Sequence, residues 1–328
     1  MSDKLTEFIA IVSRKVLEGK DISSEEVLDL SQVEGAGLFF LLAAANQIRS
    51  HFLGDKVDLC SIINAKSGRC PEDCLFCAQS IHYQTGVKGF PLISKEEMLT
   101  AARKATEVKA HRFGIITSGR RAKEKEVQTI AEALKQMKER EMPVFRCASL
   151  GSLSLQDFLV LKEAGLQRYH HNLESSPDFF PNICTTHTFE ERLSTVKAAK
   201  KAGLEVCSGG IFGLGESLAQ RIRLAFLLKE LKVDSVPLNF LHPIPGTPVE
   251  HLPPLKPLEI LKTIALFRFI LPTKDIKVCG GREHNLRSLQ AFIFMAGANG
   301  MLIGDYLTTR GQDPRLDLEM IEDLGLKV

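Results

Sequence analysis

The sequence predicts an α/β protein built as a (β/α)8 TIM-type barrel with an N-terminal helical extension. Short β-branched or apolar runs alternate eight times with helical segments, the composition does not change along the chain, and a helical segment precedes the first strand. Alternating strands and helices favour a parallel sheet, and eight such units favour closure into a barrel. A doubly wound open sheet is the structural alternative.

The elements are expected in a regular order. A helical preamble covers residues 23–50, and strands are predicted at residues 61–66, 112–117, 144–149, 168–174, 204–209, 235–241, 275–280 and 299–304. The helices between them are predicted at residues 95–108, 124–140, 155–164, 189–202, 218–231, 258–271 and 285–296. Gly165 and Gly203 end two of these helices, as glycine commonly does. We therefore expect a single domain over residues 1–328, with the preamble in about 1–58, the barrel in about 59–310 and a C-terminal extension.

Composition excludes several classes of protein. The 328 residues carry 42 Lys and Arg against 40 Asp and Glu, a formal charge of +2, so binding to nucleic acid through a basic face is not expected. The hydrophobic share of 44% and the charged share of 25% are those of a folded globular chain. The longest apolar run, residues 38–45, is far shorter than the ~20 residues of a membrane span, and the N-terminus has no signal-peptide core. We predict a cytoplasmic protein without membrane or nucleic-acid partners.

Three of the eight cysteines form the most informative motif. Cys70, Cys74 and Cys77 follow the first predicted strand in a C-x3-C-x2-C loop. A reduced compartment disfavours a disulfide framework, and three thiolates on one loop can hold three corners of a [4Fe-4S] cluster, which leaves one iron free for a small molecule. The alternatives are a structural zinc site or three unconnected thiols.

This motif, with Phe76 before its last cysteine, resembles the radical S-adenosylmethionine enzymes. Further stretches between about residue 60 and residue 304 are similar to the biotin synthase family, namely SGRCPEDCLFCAQS, HYQTGV, HHNLESSPDFF, TTHTFEERL, VCSGGIFGLGE, SVPLNFL, PGTP, GGRE and FMAGANG.

The resemblance implies a transferase of biotin biosynthesis. S-adenosylmethionine would be cleaved at the [4Fe-4S] cluster to methionine and a 5'-deoxyadenosyl radical, the radical would take hydrogen from dethiobiotin, and an auxiliary iron-sulfur cluster would donate the sulfur. Such chemistry needs an enclosed site. The family also implies an electron donor such as flavodoxin or ferredoxin, and a homodimer.

The resemblance assigns further site residues. Asn172 and Glu174 would bind the ribose of S-adenosylmethionine, and strand alternation puts them on one face with His170. The remaining assignments are Phe76, Arg192, Gly210 and Ile211 to S-adenosylmethionine, His170, Asn172 and Asn239 to the substrate, and Lys66 to the catalytic set. His170 stands where the family has Asn, so a buried core histidine is the alternative. The glycines from Gly209 to Gly215 resemble a dinucleotide fingerprint only weakly, because the final Gly is missing.

The auxiliary site departs from the family pattern. The resemblance expects three Cys and one Arg around a [2Fe-2S] cluster, but Gly114 and Lys277 stand at one Cys position and at the Arg position. Cys147 and Cys207 are kept, and Cys279 shares a strand face with Lys277. Because alternate strands contribute to one layer of a barrel, we expect Cys147, Cys207 and Cys279 to hold an auxiliary cluster of the 4Fe type rather than [2Fe-2S]. Buried thiols acting as small hydrophobic residues are the alternative.

Two further cysteines and two other functions complete the expectations. Cys60 and Cys184 are interpreted as core residues, with Cys184 a distant candidate for a fourth auxiliary ligand. A hydrogenase-maturase-like radical enzyme of the same barrel type is the rival enzyme, and an iron-sulfur scaffold protein is the non-enzymatic alternative.

Overall fold

Parallel strands and helices alternate through most of the chain in the computed structural model, which describes residues 2–328. The strands in this range are β1 (Asp58–Lys66), β2 (Arg112–Thr117), β3 (Phe145–Ser149), β4 (Arg168–His170), β5 (Glu205–Cys207), β6 (Gly210–Phe212), β7 (Ser235–Phe240), β8 (Asp275–Val278) and β9 (Gly300–Leu302). The helices are α1 (Ser2–Leu17), α2 (Ser24–Ser31), α3 (Ala36–Leu53), α4 (Lys95–Glu107), α5 (Glu124–Glu139), α6 (Leu155–Glu163), α7 (Phe189–Lys201), α8 (Leu218–Glu230), α9 (Pro257–Ile270), α10 (Arg282–Leu286), α11 (Phe292–Met295) and α12 (Pro314–Asp323).

The sheet closes on itself. Its order is β5-β4-β3-β2-β1-β9-β8-β7-β6, and β5 also pairs with β7. β5 and β6 are two pieces of one barrel strand, separated by Ser208 and Gly209, and both pair with β7 in parallel. The barrel thus has eight strand positions, which confirms the predicted (β/α)8 fold and excludes the open sheet.

Capping boxes start five of the helices, so the local sequence fixes where they begin. The cap side chain accepts from the backbone of the third helical residue, whose own side chain accepts from the cap backbone. The five pairs are Ser23 with Glu26, Ser94 with Glu97, Ser154 with Asp157, Thr188 with Glu191 and Ser217 with Gln220. Helices α4 to α8 on the outside of the barrel all begin within one residue of the predicted positions.

Some predicted elements are wrong in extent. The preamble over residues 1–58 is helical as predicted, but α1 lies before the helical stretch expected at residues 23–50, and Gly35 separates α2 from α3. The predicted helix at residues 285–296 is instead divided into α10, a 3-10 turn (Arg287–Leu289) and α11. β4 ends at His170, so the residues up to 174 follow the strand as an extended, hydrogen-bonded segment rather than a regular ladder.

The two ends of the chain pack onto the barrel. α3 lies against α1 and α9, and the buried apolar residues form one continuous cluster from Ile9 to Ile321. The backbone N–H of Val57, just before β1, donates to the carbonyl of Lys327 at 2.7 Å. Within residues 2–328, no helix has the length and apolar character needed to cross a membrane.

The barrel interior is not filled by side chains. Outward-facing strand residues are fully packed against the helices, with Leu59, Ala148 and Val206 at 0% exposure. Their inward-facing neighbours Cys60 and Cys147 remain partly accessible. A barrel with a filled centre would bury both sets, so the interior retains space for a ligand.

A network of charged side chains closes the amino-terminal end of the barrel. We call it the charged floor, and it consists of Asp58, Arg112, Arg168, Glu205, Asp275 and Lys277. Lys277 Nζ lies 2.7 Å from Asp58 Oδ2, and Arg168 Nη2 lies 2.6 Å from Glu205 Oε2. With three acids and three bases, the floor has no net charge.

Candidate active site

The three clustered cysteines lie on one loop at the carboxyl end of β1, which we call the cluster loop (residues 70–77). The loop folds onto its own backbone: Cys70 N–H donates to Gln79 O at 3.0 Å and Cys77 N–H to Cys74 O at 2.9 Å. All three side chains are partly accessible. Burial raises the pKa of Cys77 to about 11, and the nearby Cys70 thiol adds to the rise. Three adjacent accessible thiols are a donor set that fits three corners of a [4Fe-4S] cluster.

A fourth thiol, Cys184, lies against the cluster loop. Its Sγ is 3.7 Å from Cys74 Sγ and 3.2 Å from His187 Nδ1, which is also 2.5 Å from Glu72 Oε2. The contact between the two thiols raises the pKa of Cys74 and lowers that of Cys184 to about 4. Cys184 is buried in the core, as predicted, and its polar contacts include the cluster loop and His187.

Sequence reasoning missed this group, although the C-x2-H spacing from Cys184 to His187 is a ligand-like signal. One ligand atom from each of Cys74, Cys184 and His187 lies within 4.8 Å of the others.

The residues assigned to S-adenosylmethionine come together beside the cluster loop. Arg192 donates to Glu174 Oε1 at 2.6 Å and to the carbonyl of Asn172 at 2.8 Å. Arg192 also lies 2.9 Å from His187 Nε2, so one hydrogen-bonded chain connects these residues to Cys184. Charged and polar groups are thus arranged next to the thiols, where a polar cofactor that touches an iron would lie.

The segment after β4 is fixed to the interrupted fifth strand. Asn172 Oδ1 accepts from Gly209 N–H at 3.1 Å, and the carbonyl of Glu174 accepts from Ile211 N–H at 2.9 Å. Glu174 has φ +69°, an uncommon conformation for a residue with a side chain. Gly210, which pairs with Glu174, has no room for a Cβ, since it would lie 2.5 Å from the Glu174 carbonyl.

Both polar atoms of the Asn239 amide bond to the backbone. Its Nδ2 donates to Gly210 O at 3.0 Å, and its Oδ1 accepts from Gly280 N–H at 2.9 Å. The side chain therefore connects β7 to the backbone after β8 and to β6, and it sets the position of Gly210 in the site.

Lys66 and Phe76 flank the cluster loop. Lys66 Nζ lies 2.8 Å from Glu126 Oε1, and Phe76 packs partly buried against the core. Lys66 also lines an open pocket of about 820 Å³ outside the loop, with Arg69 and Arg120 among its other cations. The cations of this pocket give the outer face of the loop a basic character.

Of the thiols predicted for the auxiliary site, Cys147 lies on β3, Cys207 lies on β5, and Cys279 directly follows β8. Burial raises the pKa of Cys147 to about 12, the Cys60 thiol adds to this rise, and the Arg168 guanidinium opposes it. Burial also raises the pKa of Cys279, with further contributions from the Cys60 and Cys207 thiols. The Cys60 Sγ lies 2.9 Å from Lys277 Nζ, and Cys60 is not among the buried apolar residues that form the core cluster.

His170 also faces this group. Its Nδ1 lies 3.5 Å from Cys207 Sγ, and burial lowers the pKa of the imidazole to about 4, so the ring is neutral near pH 7. The side chain is partly accessible from the interior.

The positions that depart from the family pattern have clear structural roles. Lys277 is 1% exposed, and its Nζ is 2.9 Å from Cys60 Sγ as well as being paired with Asp58. Gly114 faces the interior next to Cys147, and a Cβ there would come within 3.2 Å of Ile62 Cγ2. A cation and a glycine packed closely against Ile62 therefore stand where the resemblance expects two ligands.

Unpaired donors in the charged floor fit an anionic group. Nη1 of Arg112 and Nη1 of Arg168 are buried and have no hydrogen-bond partner among the described residues. Burial raises the pKa of Cys147 and of Cys207, and both guanidinium groups lie close enough to oppose that rise. Buried cationic donors without partners are costly, and sulfides or thiolates of an iron-sulfur cluster would accept from them.

Comparison with known families gives two adjoining matches. A model of the Radical SAM superfamily matches residues 65–228, and a model of the Biotin and Thiamin Synthesis associated domain matches residues 237–327.

Several curated relatives are similar over nearly the full chain. The chain is 53% identical to the biotin synthase of Geotalea daltonii, over 97% of this chain and 96% of the relative. It is 50% identical to the biotin synthase of Carboxydothermus hydrogenoformans, over 98% of this chain and 99% of the relative.

Solved structures share the fold at low identity. Methylornithine synthase superposes with a TM-score of 0.83 at 20% identity and covers 96% of both chains. The FeFe-hydrogenase maturase from Carboxydothermus hydrogenoformans gives a TM-score of 0.81 at 19% identity, over 98% of this chain and 79% of the maturase.

Proposed function

The chain belongs to the biotin synthase family, and from that premise we propose which of its residues carry out the conversion of dethiobiotin to biotin. The observation that carries the proposal is the presence of two separate thiol groups at two depths of one hollow barrel, one on the cluster loop and one above the charged floor. A radical generator and a sulfur donor are the two centres that sulfur insertion requires.

Cys70, Cys74 and Cys77 are the ligands of the first cluster in this proposal. When bound, the [4Fe-4S] cluster supplies the electron that cleaves S-adenosylmethionine to methionine and a 5'-deoxyadenosyl radical. Glu174 and Asn172 hold the ribose, and Arg192 fixes Glu174 while it neutralises negative charge beside the loop. The enclosed interior keeps water from the reacting carbon atoms.

Phe76, Gly210 and Ile211 complete the proposed S-adenosylmethionine site. Gly210 allows close approach because it has no side chain, and Asn239 holds its carbonyl in place. His170 is a neutral contact of the substrate in this proposal, and Lys66 acts at the edge of the cluster loop, where its ammonium can neutralise charge.

Cys147, Cys207 and Cys279 are proposed to hold the auxiliary cluster that donates sulfur. Their positions on alternate strands of the barrel and the unpaired buried donors of Arg112 and Arg168 support an anionic cluster at this depth. A 4Fe type fits better than [2Fe-2S], because one ligand position of the family pattern is Gly114 and another is the protonated Lys277.

The maturase-like alternative is not favoured. The maturase shares the fold at 19% identity, whereas the biotin synthases of Geotalea daltonii and Carboxydothermus hydrogenoformans are 53% and 50% identical over nearly the whole chain.

A small acidic redox protein such as flavodoxin or ferredoxin is proposed as the electron donor. The open pocket outside the cluster loop supports it, since five cations, Arg69 and Arg120 among them, line this pocket against two acids, Glu190 and Glu191. Raising ionic strength should then slow cluster reduction by such a donor but not by dithionite. A cytoplasmic location and a homodimer follow from the family, and sedimentation of the loaded protein tests the dimer.

The deciding experiment is an anaerobic reaction of reconstituted protein with reductant, S-adenosylmethionine and dethiobiotin, followed by mass spectrometry. We expect 5'-deoxyadenosine together with biotin. 5'-Deoxyadenosine without biotin or a thiolated intermediate, in protein that holds both clusters, would reject dethiobiotin as the substrate.

A further inference from the structure

We propose that Cys60 is a ligand of the auxiliary iron-sulfur cluster, in one layer of the barrel with Cys147 and Cys207. The inference rests on the proposed function, because it assumes that the barrel holds such a cluster. Four observations support it: strand register, contact with Lys277, accessibility from the interior, and the cations beneath.

Strand register places Cys60, Cys147, Cys207 and Lys277 at the same level along the barrel axis. In an eight-stranded barrel, alternate strands contribute to a layer, and strand tilt shifts its members by two residues at every second strand. Cys60 pairs with Arg112, which pairs with Phe145, and two residues beyond Phe145 is Cys147. The same step, across two strand pairings and then two residues along the strand, leads from Cys147 through Arg168 and Glu205 to Cys207. It leads next from Cys207 through Ser235 and Asp275 to Lys277. The last step leads from Lys277 through Gly300 and Asp58 back to Cys60.

Because this path returns to its starting residue, Cys60, Cys147, Cys207 and Lys277 form one closed layer. Cys279 is two residues beyond Lys277, so it belongs to the next layer toward the carboxyl ends of the strands. The thiol level with Cys147 and Cys207 is therefore Cys60, and Cys279 stands on the side from which substrate enters.

Contact with Lys277 shows that the Cys60 side chain points into the barrel. Lys277 Nζ reaches Cys60 Sγ at 2.9 Å from β8, with β9 between their two strands. The neighbouring Leu59 is 0% exposed on the outer side, while Cys60 remains partly accessible from the interior. A thiol that only filled space would not be accessible in this way.

The cations near Cys60 suit a thiolate that binds iron. Lys277 is buried and hydrogen-bonded to the sulfur, and Arg112, one strand away, has an unpaired Nη1. Lys277 occupies the fourth position of the layer with an ammonium group that Asp58 holds, so that position supplies charge rather than a ligand. At this level Cys60, Cys147 and Cys207 then supply three sulfur ligands beside one cation, and Cys279 adds its thiol from the next layer.

The test compares iron binding in Cys60→Ala and Cys279→Ala. Wild type should hold about eight irons in two cubane-type Mössbauer signals, and Cys60→Ala should retain about four. Its remaining cluster should still change its EPR spectrum when S-adenosylmethionine is added, which shows that the barrel is folded and that the first site is intact. Loss of the auxiliary signal in Cys60→Ala supports the proposal whatever Cys279→Ala does.

Cys60→Ser keeps the volume of the side chain if the alanine variant does not fold. An oxygen ligand should then shift the Mössbauer parameters of one iron of the auxiliary cluster. An auxiliary signal identical to wild type in either Cys60 variant would overturn the proposal while leaving the proposed function standing. Wild type with only about four irons would overturn both.

Discussion

Glu174 is the residue on which the cofactor site depends most. It keeps φ at +69° because its N–H donates to Gly209 O at 3.2 Å and its carbonyl accepts from Ile211 at 2.9 Å. A non-glycine residue in this region costs about 1 kcal/mol or more. The strained backbone points the carboxylate at Arg192, so conformation and charge together fix the acceptor that would meet the ribose.

Glu174→Gln should weaken binding of S-adenosylmethionine about tenfold, since an amide is a poorer acceptor than a carboxylate and loses the ion pair with Arg192. Titration of the reduced cluster with S-adenosylmethionine, followed by EPR, measures the change. Glu190→Gln, at an exposed position on α7, is the matched control and should bind as wild type does. Equal affinity of the two variants would remove Glu174 from the cofactor site.

The interruption between β5 and β6 is the element that joins the cofactor site to the barrel. A regular strand through Ser208 and Gly209 would keep both carbonyls in ladders, whereas Gly209 O instead accepts from Leu173 and Glu174. A Cβ on Gly209 would lie only 2.0 Å from Pro237 O, so the neighbouring strand requires glycine here.

Gly209→Ala should therefore destabilise the protein by at least about 2 kcal/mol, because β7 has to move to relieve the overlap. Urea unfolding followed by circular dichroism measures the loss. Gly19→Ala is the control: φ is +77° there, but no atom lies within 4 Å of the added Cβ, so the cost should be about 1 kcal/mol. A smaller loss at Gly209 than at Gly19 would contradict this account of the interruption.

Elements with strong local signals could be predicted well from the sequence. β2 was predicted at residues 112–117, its observed extent, and the capped helices begin where Ser94, Ser154 and Ser217 indicate. The division of the preamble into three helices was not predicted, because α2 and α3 pack against α9, which is distant in the sequence. The end of β4 was predicted wrongly, because Glu174 adopts a positive φ that the residue pattern does not indicate.

The charged floor holds several strands together at one end of the molecule. Asp58 is its most connected acid: burial opposes ionisation, but Lys277 and Arg112 outweigh this and hold the pKa at about 2, below its usual 3.8. A depressed acid contributes stability at pH values above about 4 and loses that contribution as the pH falls toward 2.

Asp58→Asn should cost about 3 kcal/mol at pH 7, since it leaves Lys277 buried without a charged partner. Urea unfolding from pH 7 to pH 3 should show that the difference in free energy of unfolding between wild type and variant decreases by about 1 kcal/mol. Asp55→Asn is the control, because its carboxylate is 56% exposed and 3.7 Å from Arg49, and it should cost little at any pH. A gap that stays constant with pH would mean that Asp58 does not titrate as its contacts indicate.

At the scale of the whole molecule, closure could be predicted, but register could not. The eight alternating strand and helix units predicted the barrel, and the C-x3-C-x2-C spacing of the cysteines predicted the cluster loop. Cys60 was missed because the predicted first strand began at residue 61, whereas β1 begins at Asp58. Cys184 meets Cys74 only through the folded chain between β4 and α7, which no local pattern encodes.

The charged floor closes one end of the barrel, so ligands can enter and leave only at the other end. A single entrance imposes an order of binding. Dethiobiotin, which has to lie deep enough to meet the sulfur donor, should enter before S-adenosylmethionine, which binds nearer the cluster loop. Dead-end inhibition patterns test this order, and random-order kinetics would reject it. Products should leave in the reverse order of binding. Methionine and 5'-deoxyadenosine, which lie nearer the entrance, should leave before biotin.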